Sequence, residues 1–262
     1  MMAPLYSISA LAHEFWLVPH PHHPEQRENV SFELRIGPTW PGTQTPRLPN
    51  LVASFSSIDA LGTQEIAGRD GSRVIGHLRP RTAGATLVAL RTHEAAISLT
   101  GPEFNQYLAE EGLDKILEQR RVDGSLSAPG KERFSRCAKS ILLVDGQSQG
   151  FDRVVGMPLE LVPLTEPLHY QAGEPFSVKL LHRGQPLADT LIKAQLKTTP
   201  PVELKARSDA DGVVIFQLPH PGLWLFNAVD MSPAADLDSD WQSLWASLTF
   251  WVGTTKIRYK NE

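Results

Sequence analysis

One cysteine, Cys137, stands in a chain of 262 residues. A single thiol excludes an intramolecular disulfide framework, zinc ribbons and cysteine clusters. Its setting, Phe134-Ser135-Arg136-Cys137-Ala138-Lys139, has no protease-type context, so a packed thiol is the reading. Positive charge is not in surplus: 25 Lys+Arg against 29 Asp+Glu leave −4. A nucleic-acid binder would carry a basic excess to neutralise phosphate, so no nucleic-acid partner is expected. No apolar run approaches the roughly 18–20 residues of a membrane span, so no transmembrane segment is expected. The G-x-S-x-G elbow, the H-E-x-x-H helix and the P-loop are all missing, which counts against hydrolases.

What is present points to strands and turns. Proline (21) and glycine (19) are dense for a helical protein, because one removes a helix donor and the other costs backbone entropy. With 41% hydrophobic residues there is enough apolar mass for a core. The expected fold class is mainly β, as two β-sandwich domains with a short helical insertion in the first. Residues 1–12 read as a residual signal peptide, 13–156 as the N-terminal β domain and 157–262 as the C-terminal β-sandwich. Runs at 15–18, 30–36, 51–57, 74–78, 86–91, 97–99 and 138–144 read as strands of the first unit. Those at 159–163, 176–182, 191–196, 213–218 and 223–230 read as strands of the second. In the run 30–36, Val30, Phe32, Leu34 and Ile36 alternate with Ser31, Glu33 and Arg35, giving one buried and one wet face. Thr100-Gly101-Pro102-Glu103 opens the helical insertion, with proline early and an acid in the first turn. Asp209-Ala210-Asp211-Gly212 resembles half of a calcium loop without the distal glutamate, so a hairpin turn is the better reading. Glu110-Glu111 is a carboxylate pair for which a solvated helix face is the ordinary explanation.

The N-terminus carries the chemistry. Ala10-Leu11-Ala12 is an A-x-A motif after a short apolar run, as at a signal-peptidase site, although no basic n-region precedes it. Cleavage there makes His13 the first residue. Its free α-amine and imidazole can then close a chelate ring on Ni(II), Co(II) or Cu(II). If the chain is not cut, that nitrogen is an amide and His13 merely starts a strand. Further on, Pro19-His20-Pro21-His22-His23-Pro24 places His20, His22 and His23 within four positions, a metal-gathering segment whose prolines favour an extended path. The other histidines, 77, 93, 169, 182 and 220, are scattered singly.

Several phrases recur together: Ala12-His13-Glu14-Phe15-Trp16, Phe104-Asn105-Gln106-Tyr107-Leu108, Glu110-Glu111-Gly112-Leu113, and Glu132 to Lys139. Pro158 to Pro163, Gly184-Gln185-Pro186-Leu187-Ala188, Asp209 to Gly212 and Trp245 to Phe250 follow in order. As a set they resemble a bacterial periplasmic family of unknown function, described in part as the periplasmic component of cobalt/nickel uptake systems (CbiK- or NikK-like). The resemblance runs nearly end to end. It implies a secreted, periplasmic protein whose second half is Ig-like or prealbumin-like, handling Ni or Co beside an inner-membrane metal transporter. His13 matches the family's histidine after the signal peptide. Where the family commonly reads Ala-Val-His-Met, this chain reads Ala228-Val229-Asp230-Met231, so Asp230 would offer carboxylate oxygen in place of nitrogen.

Three functions follow as expectations. The first is a binding protein for a divalent transition metal, with His13, Asp230, His20, His22 and His23 as candidate ligands and no catalytic residues. The second is an envelope recognition module for glycan or protein, with Trp241, Trp245, Phe250 and Trp251 in an exposed patch. The third is an oxidative copper enzyme built on a histidine brace, which needs a second histidine close to His13.

Overall fold

The computed structural model describes residues 14–235 and 238–253. The first half holds β1 (Glu14–His20), β2 (Val30–Gly37), β3 (Thr43–Thr45), β4 (Val52–Asp59), β5 (Gly62–Glu65), β6 (Val74–Leu78), β7 (Gly84–Thr92) and β8 (Ala95–Leu99). Two helices follow, α1 (Gly101–Glu110) and α2 (Asp114–Val122), and then the long β9 (Gly130–Val144). The second half holds β10 (Leu159–Pro163), β11 (Pro175–His182), β12 (Gln185–Pro186), β13 (Leu191–Leu196), β14 (Val202–Arg207), β15 (Val213–Gln217), β16 (Gly222–Pro233) and β17 (Trp241–Val252). Strand accounts for 50% and helix for 8%, so the fold is mainly β, with the expected short helical insertion in the first half.

The strands form three sheets. The largest has nine strands in the order β14-β13-β16-β17-β9-β7-β4-β5, with β8 on the far end of β9. Its one parallel ladder joins β17 to β9, Trp241 opposite Glu132 through Thr249 opposite Ser140, so a single sheet passes through both halves of the chain. One face of this sheet is covered by the small sheet of β10, β11, β12 and β15. Between them lies the largest core, including Leu161, Phe176, Val178, Ile192, Phe226, Leu248 and Phe250. Phe226 and Phe250, on adjacent strands, stack with centroids 5.5 Å apart, and Phe176 stacks on both from across the core. The opposite face is covered by the sheet of β1, β2, β3 and β6 and by the helical pair, so two sandwiches share one central sheet.

Local sequence explains the layers. In β2, Val30, Phe32 and Leu34 point into the core shared with Phe55, Val88, Leu90, Ala138 and Leu142, while the intervening polar residues are half-buried. By contrast β16 and the second half of β17 are buried almost without a break, because both faces of the central sheet are covered. Thr100 and Glu103 form the expected helix start: Glu103 accepts from the Thr100 backbone N–H (3.0 Å) and hydroxyl (2.7 Å). Phe104, Tyr107 and Leu108 then pack on Phe134, Val229, Trp241 and Trp245.

The structure adds to the sequence reading in three places. Strand β9 begins at Gly130 rather than Ala138, and β14 and β17 are strands that the pattern did not announce. Finally, Asp209–Gly212 joins strands of two different sheets instead of a hairpin. Asp209 Oδ1 accepts the backbone N–H groups of Asp211 (2.9 Å) and Val213 (2.8 Å), turning the chain from β14 to β15.

Candidate functional site

His13 lies outside the described residues. The residue after it, Glu14, opens β1 with its carboxylate buried (2% exposed) between the central sheet and the end of α1. Lys193 on β13 donates to Glu14 Oε1 (3.1 Å) and to Glu111 Oε2 (2.6 Å), and Asn227 on β16 donates to the other Glu14 oxygen. Burial pushes the Glu14 carboxyl up, opposed by Lys193. Glu111 is pushed up to about 7, by burial first and by the Glu14 carboxylate second. Against its own burial, Lys193 is held charged by the two carboxylates. Glu110 is exposed as expected of a solvated face, whereas Glu111 turns inward to Lys193.

Two carboxylates share one ammonium, and with Glu111 pushed up to about 7 the cluster carries an excess negative charge only above that pH. Beside it Glu132 accepts from Tyr107 (3.2 Å) and Ser243, and the Arg136 guanidinium sits over Phe134 (4.5 Å), Phe15 (5.3 Å) and Trp245 (5.9 Å). Burial lowers Arg136 to about 10, still charged at neutral pH, and its charge acts on Glu14 as well as on Glu132, whose carboxyl burial pushes up. Asn227 Oδ1 and Ser247 Oγ, cross-strand neighbours on β16 and β17 that are 2% and 3% exposed, have no hydrogen-bond partner among the described residues. A buried polar atom left unpaired costs roughly 1–3 kcal/mol, so such atoms mark a place where a ligand group can be received.

The histidine segment is gathered at the other end of β1. His20 ends the strand, and the rings of His20 and His22 lie 5.5 Å apart. Trp251, near the end of β17, has His22 at 6.0 Å and His23 at 5.4 Å, edge-on. Burial lowers His22 to about 3, helped by His20, Lys197 and His23, and burial also lowers His23. His20 Nε2, His22 Nδ1 and His23 Nε2 are all without hydrogen-bond partners. Glu33 Oε1 stands 3.6 Å from His20 Nε2, too long for a hydrogen bond, and its other oxygen is forked by Arg35 at 2.6 and 3.0 Å.

Asp230 is not part of either group. It pairs with His182 Nδ1 (2.8 Å) on the side of the central sheet facing β11. Leu223, the cross-strand partner of Trp251, lies seven positions earlier on β16, which at about 3.3 Å per residue is roughly 23 Å away along the strand. Asp230 also lines a cleft of about 290 Å³ with Gly112–Ile116, Leu187–Thr190 and Arg207. Arg207 closes the rim by donating to the Gly112 carbonyl (2.8 Å) and to Asp114, and Lys115 pairs with Asp189 (3.0 Å). Among the described residues, no three histidine, cysteine or carboxylate side chains are placed to hold one ion.

The remaining candidates are structural. Cys137 is buried, and burial pushes its thiol up, away from the thiolate a nucleophile needs. Trp241, Trp245 and Phe250 are buried, leaving Trp251 as the partly exposed ring of that group. Sequence reasoning missed Glu14, Lys193, Asn227 and Arg136, whose partners are far away in the chain. It also missed the fully buried pair Lys139–Glu160 (2.7 Å), in which Glu160 further accepts the backbone N–H groups of Val155, Gly156 and Met157. A charged residue inside an apolar strand run, such as Lys139 before Ser140-Ile141-Leu142, was the available signal.

Fold and site together describe a mainly β protein of two sandwiches on one central sheet, with a buried ionic cluster at the head of β1 and a histidine group at its tail. The family model described as domain of unknown function DUF4198 matches residues 10–231, and the chain belongs to that family. No curated protein matches it. Among solved structures the D0-D1 domain of Intimin aligns at 12% identity, over 91% of this chain and 98% of that one, with a TM-score of 0.23, which is too low to carry an argument.

Proposed function

We propose that this protein is a periplasmic accessory of a metal-uptake system, which captures a divalent transition metal, nickel or cobalt with copper as a further candidate, and passes it to an inner-membrane transporter. The observation that supports it is the pair of buried carboxylates, Glu14 and Glu111, on the single Lys193 ammonium, with Glu14 one peptide after the residue that a cut at Ala12 would make the first, and with one carboxylate left over once Glu111 loses its proton. In an interior of low effective dielectric an uncompensated carboxylate attracts a cation far more strongly than it would in water. The unpaired Asn227 Oδ1 and Ser247 Oγ add oxygen acceptors beside it. The His13 amine and imidazole supply the two nitrogen donors that favour nickel, cobalt or copper over magnesium or calcium. Asp230, engaged by His182, is left out of the coordination.

The test is a competitive titration of Ni(II), Co(II), Cu(II) and Zn(II) against chains that start at His13 or carry one extra residue before it. The chain starting at His13 should bind at least tenfold more tightly, because only it has the chelating amine. Equal binding, or none in either form, overturns the reading.

A further inference from the structure

We propose that His20 and His22 form a separate site for copper(I), held between two imidazoles beside the indole of Trp251. This goes beyond the divalent site at His13 and does not depend on it. The geometry comes first. An ion bridging two imidazoles in line has metal–nitrogen bonds of about 2 Å, which places the ring centres roughly 6 Å apart. The His20 and His22 rings are 5.5 Å apart and inclined at 42°, close to that spacing. Each ring has a nitrogen without a hydrogen-bond partner, His20 Nε2 and His22 Nδ1. Ligation would satisfy both and recover the penalty they carry.

Coordination number then selects the ion. Nickel, cobalt and zinc need four or more ligands, and no third histidine, cysteine or carboxylate among the described residues is placed to join the pair. Glu33, the nearby carboxylate, is held by the fork of Arg35. His23 packs edge-on against Trp251. Copper(I), a closed-shell ion, is stable with two nitrogen donors in line. The Trp251 ring stands 6.0 Å from that of His22, which places an indole beside the pair as the reporter of binding. Charge argues the same way: Lys197 is near enough to act on His22, and it repels a monocation less than a dication.

The experiment is an anaerobic titration of copper(I) against a colorimetric chelator, with silver(I) as a redox-inert stand-in. It uses the chain carrying an extra residue before His13, so that the chelating amine is absent and failure of the His13 reading leaves this result untouched. One equivalent should bind and perturb tryptophan fluorescence. His20→Ala and His22→Ala should each weaken binding at least tenfold, His23→Ala by less, and the exposed His169→Ala not at all. Circular dichroism on each variant separates loss of the site from loss of the fold, and a variant that does not fold is replaced by His→Gln at the same position, held to the same expectation. Affinity unchanged in the folded His20 and His22 variants overturns the proposal, as does displacement of copper(I) by equimolar Ni(II) or Zn(II).

Discussion

Replacing Lys193 by methionine tests the ionic cluster most directly. The change keeps much of the side-chain volume and removes the one cation that Glu14 and Glu111 share. Breaking a buried pair by deleting one partner costs about 3–5 kcal/mol, because the other charge stays buried without compensation. The penalty should depend on pH in a defined way. In the native protein Glu111 is raised from 4.5 to about 7, so its contribution to stability is fully present below about 4.5 and is lost as pH rises through 7. Above that point the wild type levels off. In Lys193→Met the carboxyl is higher still, so the variant goes on losing about 1.4 kcal/mol per pH unit for each proton released. Urea unfolding at pH 5, 7 and 8 on the wild type, the variant and the double variant Lys193→Met/Glu111→Gln would read this. The double variant should lose the extra slope. A penalty below about 1 kcal/mol at pH 8, or one that stays flat above pH 7, refutes the reasoning.

Lys139→Met should destabilise by about 3 kcal/mol, the lower end of the range for a broken buried pair, because Glu160 keeps three backbone donors at 2.9, 2.9 and 3.1 Å; chemical denaturation measures the loss, and adding Glu160→Gln should restore part of it. Gly130→Ala places a Cβ 2.4 Å from the buried Phe104 ring, between β9 and α1. Overpacking of that kind costs about 1–3 kcal/mol, seen as a lowered melting temperature.

Legibility in the sequence followed burial on one face or two. β2 was readable because one side is core and the other is wet, so Val30, Phe32 and Leu34 alternate with polar residues. β17 was not: Trp241, Trp245 and Trp251 face the helices and β1, while Ala246, Leu248 and Phe250 face β11, and burial on both sides erases the period of two. Its residues read only as an aromatic group. The histidine segment was visible as composition, but its gathering around Trp251 depends on a strand more than two hundred positions later. The ionic cluster has the same property in stronger form, since Glu14, Glu111, Lys193 and Asn227 come from four separate elements. Asp230 illustrates the converse, because its position in a family phrase said nothing of the His182 imidazole that engages it.

The parallel ladder between β17 and β9 has a consequence for how the molecule is made. Every contact in it spans about 109 positions, and β17 is the last strand described. Until it docks, β9 and β16 each present an open edge in what will become the middle of the widest sheet. Pairings at such separation form slowly, and the waiting edges are sticky toward other chains. The sandwich under β10, β11 and β15 therefore waits for β17, which supplies Leu248 and Phe250 to its core, whereas the core under β2 draws on no residue of that strand. The interval between the first core and the docking of β17 is when the open edges of β9 and β16 have most need of cover.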